Sequence, residues 1–203
     1  MTMQLLLNAT SPFARLARVV ALEKHLQGRL QLVWCDPWSD DPVLLGQHPQ
    51  GRIPVLVTDA GDALSESLLI AQYLDHHGHG TALVPVARMA PILAATGVAY
   101  GLMETAFTHV MQRKHRGAEA DGDTLGQRRQ AAIDRALQHL ACHTVGAAAP
   151  DAPTTLDQLA TAVALEYLLF RLPGYAQHPA LVPLQPWLGQ MRLRPSLQHT
   201  AFA

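Results

Sequence analysis

Cysteine is scarce in this chain of 203 residues: it has two, Cys35 and Cys142. They lie far apart, form no CxxC pair and share no zinc-site spacing with histidines. This excludes a disulfide framework, and a reducing compartment is the simplest setting. Aromatic residues make up 5% and charged residues 15%, and 15 Lys and Arg are matched by 16 Asp and Glu. With a net charge of −1 there is no basic surplus to displace phosphate counterions, so nucleic acid is not an expected partner. Disorder requires low hydrophobicity with high net charge, and a 49% hydrophobic chain has neither. The longest weakly charged stretch, 89–103, is short for a transmembrane span and is expected to be broken by Pro91, Gly97 and Gly101. The first cationic residue is Arg15, so no basic segment precedes the N-terminal apolar run and no signal peptide is expected. The expectation is a soluble, cytoplasmic protein with no membrane partner.

What is present is a core-forming composition and two kinds of periodicity. A chain of this length buries about 70% of its unfolded surface without a staple, and length alone allows one or two domains. Residues 4–8 form an apolar run that suits a buried strand. Ser11-Pro12 then offers an N-cap and a first helical residue, followed by apolar residues at helical spacing from Phe13 to Ala21, with Gly28 as the stop. Residues 30–35 suit a second strand, and a short helical piece ends at Gln47. Residues 52–58 and 63–65, joined by Asp59-Ala60-Gly61-Asp62, form a predicted hairpin. Glu66-Ser67 opens a helix that ends in the His76–Gly80 segment. Beyond Val86 the patterns are helical, over roughly 87–114, 125–143, 156–171 and 183–193, with loops at 117–123 and 145–153. A β/α module therefore precedes an all-helical one.

Three motifs stand in register in the first 75 residues: Ser11-Pro12-Phe13 after a strand, Arg52-Ile53-Pro54-Val55-Leu56, and Glu66-Ser67 before Leu69–Leu74. Thr154-Thr155-Leu156-Asp157 and Arg194-Pro195-Ser196-Leu197 follow in the helical half. In this order the sequence resembles the glutathione transferase superfamily, closest to bacterial members with a Ser-Pro-Phe helix start. The resemblance implies an α/β thioredoxin-like N-terminal domain over 1–79, a linker over 80–86 and an all-α helical-bundle domain over 87–203. It also implies a homodimer, with glutathione as co-substrate, a small electrophile as second substrate and a role in detoxification.

The resemblance further implies that Pro54 is cis and that the backbone of Ile53 pairs with the cysteinyl part of glutathione as an added strand would. Glu66 and Ser67, at a helix N-terminus, fit the zwitterionic γ-glutamyl end. Ser11 is the expected thiolate-stabilising hydroxyl and Thr10 its rival. The N-terminal helix field and a hydroxyl donor both favour the sulfur anion. A serine cannot form a mixed disulfide, which demotes thiol–disulfide exchange.

Arg52 is the best-placed candidate for the glycyl carboxylate, ahead of Gln47 and His48. Arg15 is expected to be solvated or ion-paired. Phe13, Tyr100, Met103 and Phe107 are candidates for a second-substrate pocket. Of the eleven histidines, His76, His77 and His79, and the pair His139 and His143, lack carboxylate or thiolate partners at ligand spacing, so no metal is expected. Two other readings stay open: a non-catalytic interaction or ligand-binding protein on the same fold, and a glutathione-dependent peroxidase.

Overall fold

The structure is a computed structural model that describes residues 2–143 and 153–202. It divides into two compact units, Met1–Leu83 with Ser196–Ala203, and Val84–Pro195.

The first unit is built on a four-stranded mixed sheet of order β2-β1-β3-β4. Strand β1 (Met3–Leu7) runs parallel to β2 (Leu30–Trp34) and antiparallel to β3 (Val55–Val57), which pairs with β4 (Ala63–Ser65) in the expected hairpin. Side chains alternate across a strand. Leu5 therefore shares a face with Leu56, its register partner, and Leu6 points to the other face. There Leu6 packs with Val55 and Leu44, the latter from the short helix α2 (Pro42–Gln47). Helix α1 (Pro12–Glu23) links the parallel strands, and α3 (Ser67–His77) follows β4 and packs against α1.

Gly28 does not end α1. The helix closes earlier, with His25 in the left-handed region at φ 56°. His25 N–H donates to Leu22 O at 3.1 Å and Leu26 N–H to Ala21 O at 2.9 Å, the bond pair of a Schellman cap with histidine in the usual glycine place.

The closing residues also depart from the expected division, which ran the helical domain to the C-terminus. From Ser196 onward the chain packs on the first unit. Arg15 holds it there: the guanidinium is buried, donates to Leu197 O at 3.1 Å and Thr200 Oγ1 at 3.3 Å, and lies over the Phe202 ring. Arg15 is thus not solvated but ties α1 to the chain end.

The second unit centres on α4 (Met89–Arg116), which packs against α5 (Thr124–His143) and α6 (Leu156–Arg171), followed by α7 (Gln185–Met191). Helix α6 is buried along most of its length, as its apolar sequence requires. Thr155 N–H donates to Gln158 Oε1 at 3.2 Å at its start, so the capping partner is Gln158, beyond the quoted Thr-Thr-Leu-Asp motif. The 145–153 loop lies almost wholly outside the described residues.

The expected break of the apolar stretch at 89–103 does not occur. Pro91 sits in the first turn of α4, where its missing N–H costs nothing, and Gly97 and Gly101 continue the helix. With the turn that precedes it, this helix is long and apolar enough to cross a membrane by length and composition, with a mean hydropathy of 1.4 over 18 residues. Its buried strip, which includes Ile92, Thr96, Ala99 and Ala106, has the spacing of one helix face.

Candidate functional site

One register line organises the first unit. Leu6 pairs with Val55, and Val55 with Ser65. One or two residues further along each strand's path lie the 8–11 loop, Ile53-Pro54 and Glu66-Ser67. The three motifs therefore meet at one end of the sheet, where α1 and α3 also begin. Both helices bring the partial positive charge of their N-termini into this corner.

The loop before α1 is held by a residue that motif reading passed over. Asn8 Oδ1 accepts from Thr10 N–H at 3.2 Å and from Ser11 N–H at 2.9 Å. An Asx turn three residues ahead of a Ser-Pro pair was the available signal. Ser11 is the N-cap of α1, with Pro12 at the first helical position. Its Oγ accepts from Ala14 N–H at 3.2 Å, and a hydroxyl used as acceptor still has its proton to donate. Ser11 is largely buried, whereas Thr10 is half-exposed.

The Ile53–Pro54 bond is cis. Ile53 is half-buried and precedes the β3 ladder, which begins at Val55. Glu66 is the N-cap of α3 and has φ +67°, ψ 113°, a conformation that a residue with a side chain adopts only under strain. No sequence pattern signals it. Ser67 is buried at 1% exposure in the first turn of α3. Arg52, the expected glycyl anchor, instead directs Nη1 to Glu66 Oε1 at 3.2 Å, with both side chains substantially exposed. His48 is buried and its Nδ1 accepts from Gln50 N–H at 3.1 Å, so that nitrogen serves the local turn.

Cys35 lies just past β2, half-buried, with Sγ 3.6 Å from Leu7 O. Burial pushes its thiol above the ordinary range, and Asp41 and Asp36 add to the effect. Both effects disfavour its thiolate, the reactive form.

The candidates for a second-substrate pocket divide. Phe13 is half-buried in the first unit, and Tyr100 and Phe107 are half-buried on α4. Met103 is fully buried, in step with Thr96, Ala99 and Ala106 on the strip that forms the helical core, and so does not line an open pocket. His76 and His77 each turn Nδ1 to a carbonyl one helical turn back, at 2.9 Å, and His77 stacks on Tyr73. His143 does the same with His139 O. Among the described residues no three His, Cys, Asp or Glu side chains converge as a metal ion would require.

Residues 10–77 match the family described as glutathione S-transferase, N-terminal domain. Over 187 residues, 90% of this chain and 91% of the relative, the sequence is 28% identical to YibF, a GST-like protein of Escherichia coli K12. The fold matches a crystal structure of a glutathione transferase family member from Pseudomonas fluorescens Pf-5 with bound glutathione. The TM-score there is 0.90, with 25% identity and full coverage of both chains. It also matches a glutathione S-transferase from Methylobacillus flagellatus KT with glutathione bound, at a TM-score of 0.83 and 27% identity, again over both whole chains. On the convergent motifs, the fold and these similarities together, the chain belongs to the glutathione transferase superfamily.

Proposed function

We propose that this chain is a glutathione transferase that joins the glutathione thiolate to a small hydrophobic electrophile. The observation that carries the reading is the Leu6–Val55–Ser65 register, which assembles all three motifs beside two helix N-termini. The γ-glutamyl carboxylate would sit at the start of α3, on Ser67 and its neighbouring N–H groups, and Glu66 would accept from the γ-glutamyl ammonium. The backbone of Ile53, turned by Pro54, would pair with the cysteinyl residue. Arg52 would exchange part of its pairing with Glu66 for the glycyl carboxylate. The sulfur would then lie at the start of α1.

A thiol with an ordinary pKa near 8.5 is mostly protonated at neutral pH. The helix N-terminus and the Ser11 hydroxyl proton both stabilise the anion, so the thiol proton leaves to solvent more readily. The thiolate then attacks the electrophilic carbon. A sulfur–carbon bond forms, and either a leaving group departs with its electron pair or the resulting anion takes a proton from water. Phe13, Tyr100 and Phe107 are proposed for the electrophile's apolar part. The same reading takes the protein as a cytoplasmic homodimer in detoxification.

The test is a glutathione titration by calorimetry, followed by conjugation rates with a chloronitrobenzene. Ser67→Ala should abolish or sharply weaken binding. Ser11→Ala should lower kcat/KM by roughly 10- to 100-fold, the worth of one hydrogen bond to a charged group, while Thr10→Ala leaves it near wild type. The reverse pattern assigns the role to Thr10. The Arg52–Glu66 pairing favours the second reading, a binding protein without transferase activity, because it engages the expected glycyl anchor internally. A pull-down that enriches one protein partner while no glutathione binds would support that reading.

A further inference from the structure

The part of the first unit that would receive the glycyl end of the peptide is poor in positive charge. Helix α2 packs beside Ile53 through Leu44, which shares a cluster with Val55. It therefore flanks the backbone proposed to pair with the cysteinyl residue. Between Leu30 and Ser67, Arg52 is the single Lys or Arg, against Asp36, Asp40, Asp41, Asp59, Asp62 and Glu66. The start of α2 is taken up by its own cap: Asp41 Oδ1 accepts from Val43 N–H at 2.9 Å and from Leu44 N–H at 3.4 Å. Apart from Gln47, an exposed neutral amide, α2 carries only apolar residues and Gly46. His48 is buried and spends Nδ1 on Gln50 N–H, which leaves one ring nitrogen for a ligand.

Arg52 is thus the one permanent cation at hand, and it is engaged. Its Nη1 lies 3.2 Å from Glu66 Oε1, with the two side chains 62% and 48% exposed. To take the glycyl carboxylate, Arg52 must trade one solvent-exposed carboxylate for another. Ion pairs at this exposure contribute little, because water screens the charges and two long side chains must be ordered. The difference between two such pairs contributes less still. The γ-glutamyl end is placed differently: Ser67 is 1% exposed and opens the eleven-residue α3, where backbone donors and the helix field meet a carboxylate. The grip on the tripeptide is one-sided, firm at the γ-glutamyl end and slight at the glycyl end.

We infer that the site selects its thiol by the γ-glutamyl-cysteinyl part and admits peptides whose glycyl carboxylate is masked as an amide. The inference rests on the glutathione reading above and widens its substrate class to glutathione joined through its glycine to an amine. Masking removes one negative charge from the peptide beside a segment rich in Asp and Glu. The amide carbonyl remains an acceptor for Arg52, which then keeps its pairing with Glu66.

The probes are reduced glutathione and its glycyl amide, titrated separately by calorimetry into the full chain at one ionic strength. The expected dissociation constants lie within about fivefold of each other, the span that an exposed ion pair covers. Arg52→Gln, at an exposed position, should keep their ratio within the same span, and Ser67→Ala should weaken both peptides together. The comparison in the unaltered protein decides the matter even if a variant fails to fold. A carboxylate held by charged hydrogen bonds would favour glutathione by roughly tenfold or more. Any preference for glutathione beyond the fivefold span overturns the inference and leaves the glutathione reading intact, because the peptide still binds. Amide binding that is insensitive to Ser67→Ala also overturns it, since the amide then occupies another place. If neither peptide binds, the glutathione reading falls and this inference with it.

Discussion

Lys24 and Asp75 form an ion pair sealed inside the first unit, with Nζ 2.9 Å from Oδ1 and side chains only 2% and 8% exposed. Lys24 also donates to Thr81 O at 3.0 Å, and the Asp75 carboxylate accepts Leu83 N–H on both oxygens, at 3.0 and 3.1 Å. The pair therefore fixes the C-cap of α1, the body of α3 and the chain that leaves it. Breaking such a pair from one side leaves an uncompensated buried charge, at a cost of about 3–5 kcal/mol. Asp75→Ala should lower the urea midpoint accordingly. Lys24→Met with Asp75→Leu should recover part of the loss, since no lone charge remains. A single variant with an unchanged midpoint would show that the pair is dispensable.

Glu66 combines a strained backbone with a proposed ligand contact, so stability and binding should move in opposite directions on its replacement. Non-glycine residues held in such regions cost about 1–3 kcal/mol, and glycine gives back about 0.5–1 kcal/mol through the unfolded chain. Glu66→Gly should therefore raise the melting temperature by roughly 2–4 °C, for a net gain near 1 kcal/mol. Its affinity for glutathione should fall in the same preparation. A lower melting temperature would mean that the Arg52–Glu66 pairing outweighs the strain.

Much of this architecture is legible in the amino acids. Ser11-Pro12 marks the start of α1 because a hydroxyl cap and a proline without an N–H both suit that position. The hairpin is legible because two short alternating runs flank Asp59-Ala60-Gly61-Asp62. What the sequence hides are partners distant along the chain and unusual backbone angles. Arg15 looks like any solvated helix arginine until the chain end folds over it. His25 occupies a cap position where a glycine would have been read correctly. Met103 shows helical spacing whether it faces a pocket or the core, and only the neighbouring helix decides. Asn8 bonds locally, yet an asparagine in a loop has too many ordinary uses to single it out.

His109 gives the helical unit a pH dependence of defined sign. The imidazole is buried at 3% exposure, and desolvation holds its pKa below the ordinary 6.5, outweighing the opposite pull of Asp121. As pH falls through about 6.5 the unfolded chain takes up this proton before the folded one does. Stability is therefore full above that pH, falls as the medium is acidified toward the folded-state pKa, and levels below it. Melting temperatures from pH 7.5 to 5 should decline more steeply for the wild type than for His109→Gln. Parallel curves would assign the acid sensitivity to other groups.

Ser11→Cys converts the thiolate-stabilising position into a reporter of where the glutathione sulfur lies. A thiol at the N-terminus of α1 would ionise readily, because the helix field favours its anion. With oxidised glutathione, that thiolate should attack one sulfur of the peptide disulfide. A protein–glutathione disulfide forms, and the other half leaves as glutathione thiolate. Cys142 is exposed and would react in parallel, so the experiment belongs in a Cys142→Ser background. Cys35 is half-buried with its thiol pushed above the ordinary range, and the parent protein that keeps Ser11 and Thr10 measures any reaction there. Intact mass should show one glutathionyl group gained by Ser11→Cys, fast and saturable in oxidised glutathione. The matching Thr10→Cys protein should react slowly and without saturation. If Thr10→Cys is the faster, saturable one, the sulfur lies beside Thr10 and the hydroxyl donor must be reassigned. If neither protein reacts, the corner formed by the Leu6–Val55–Ser65 register does not bind the tripeptide.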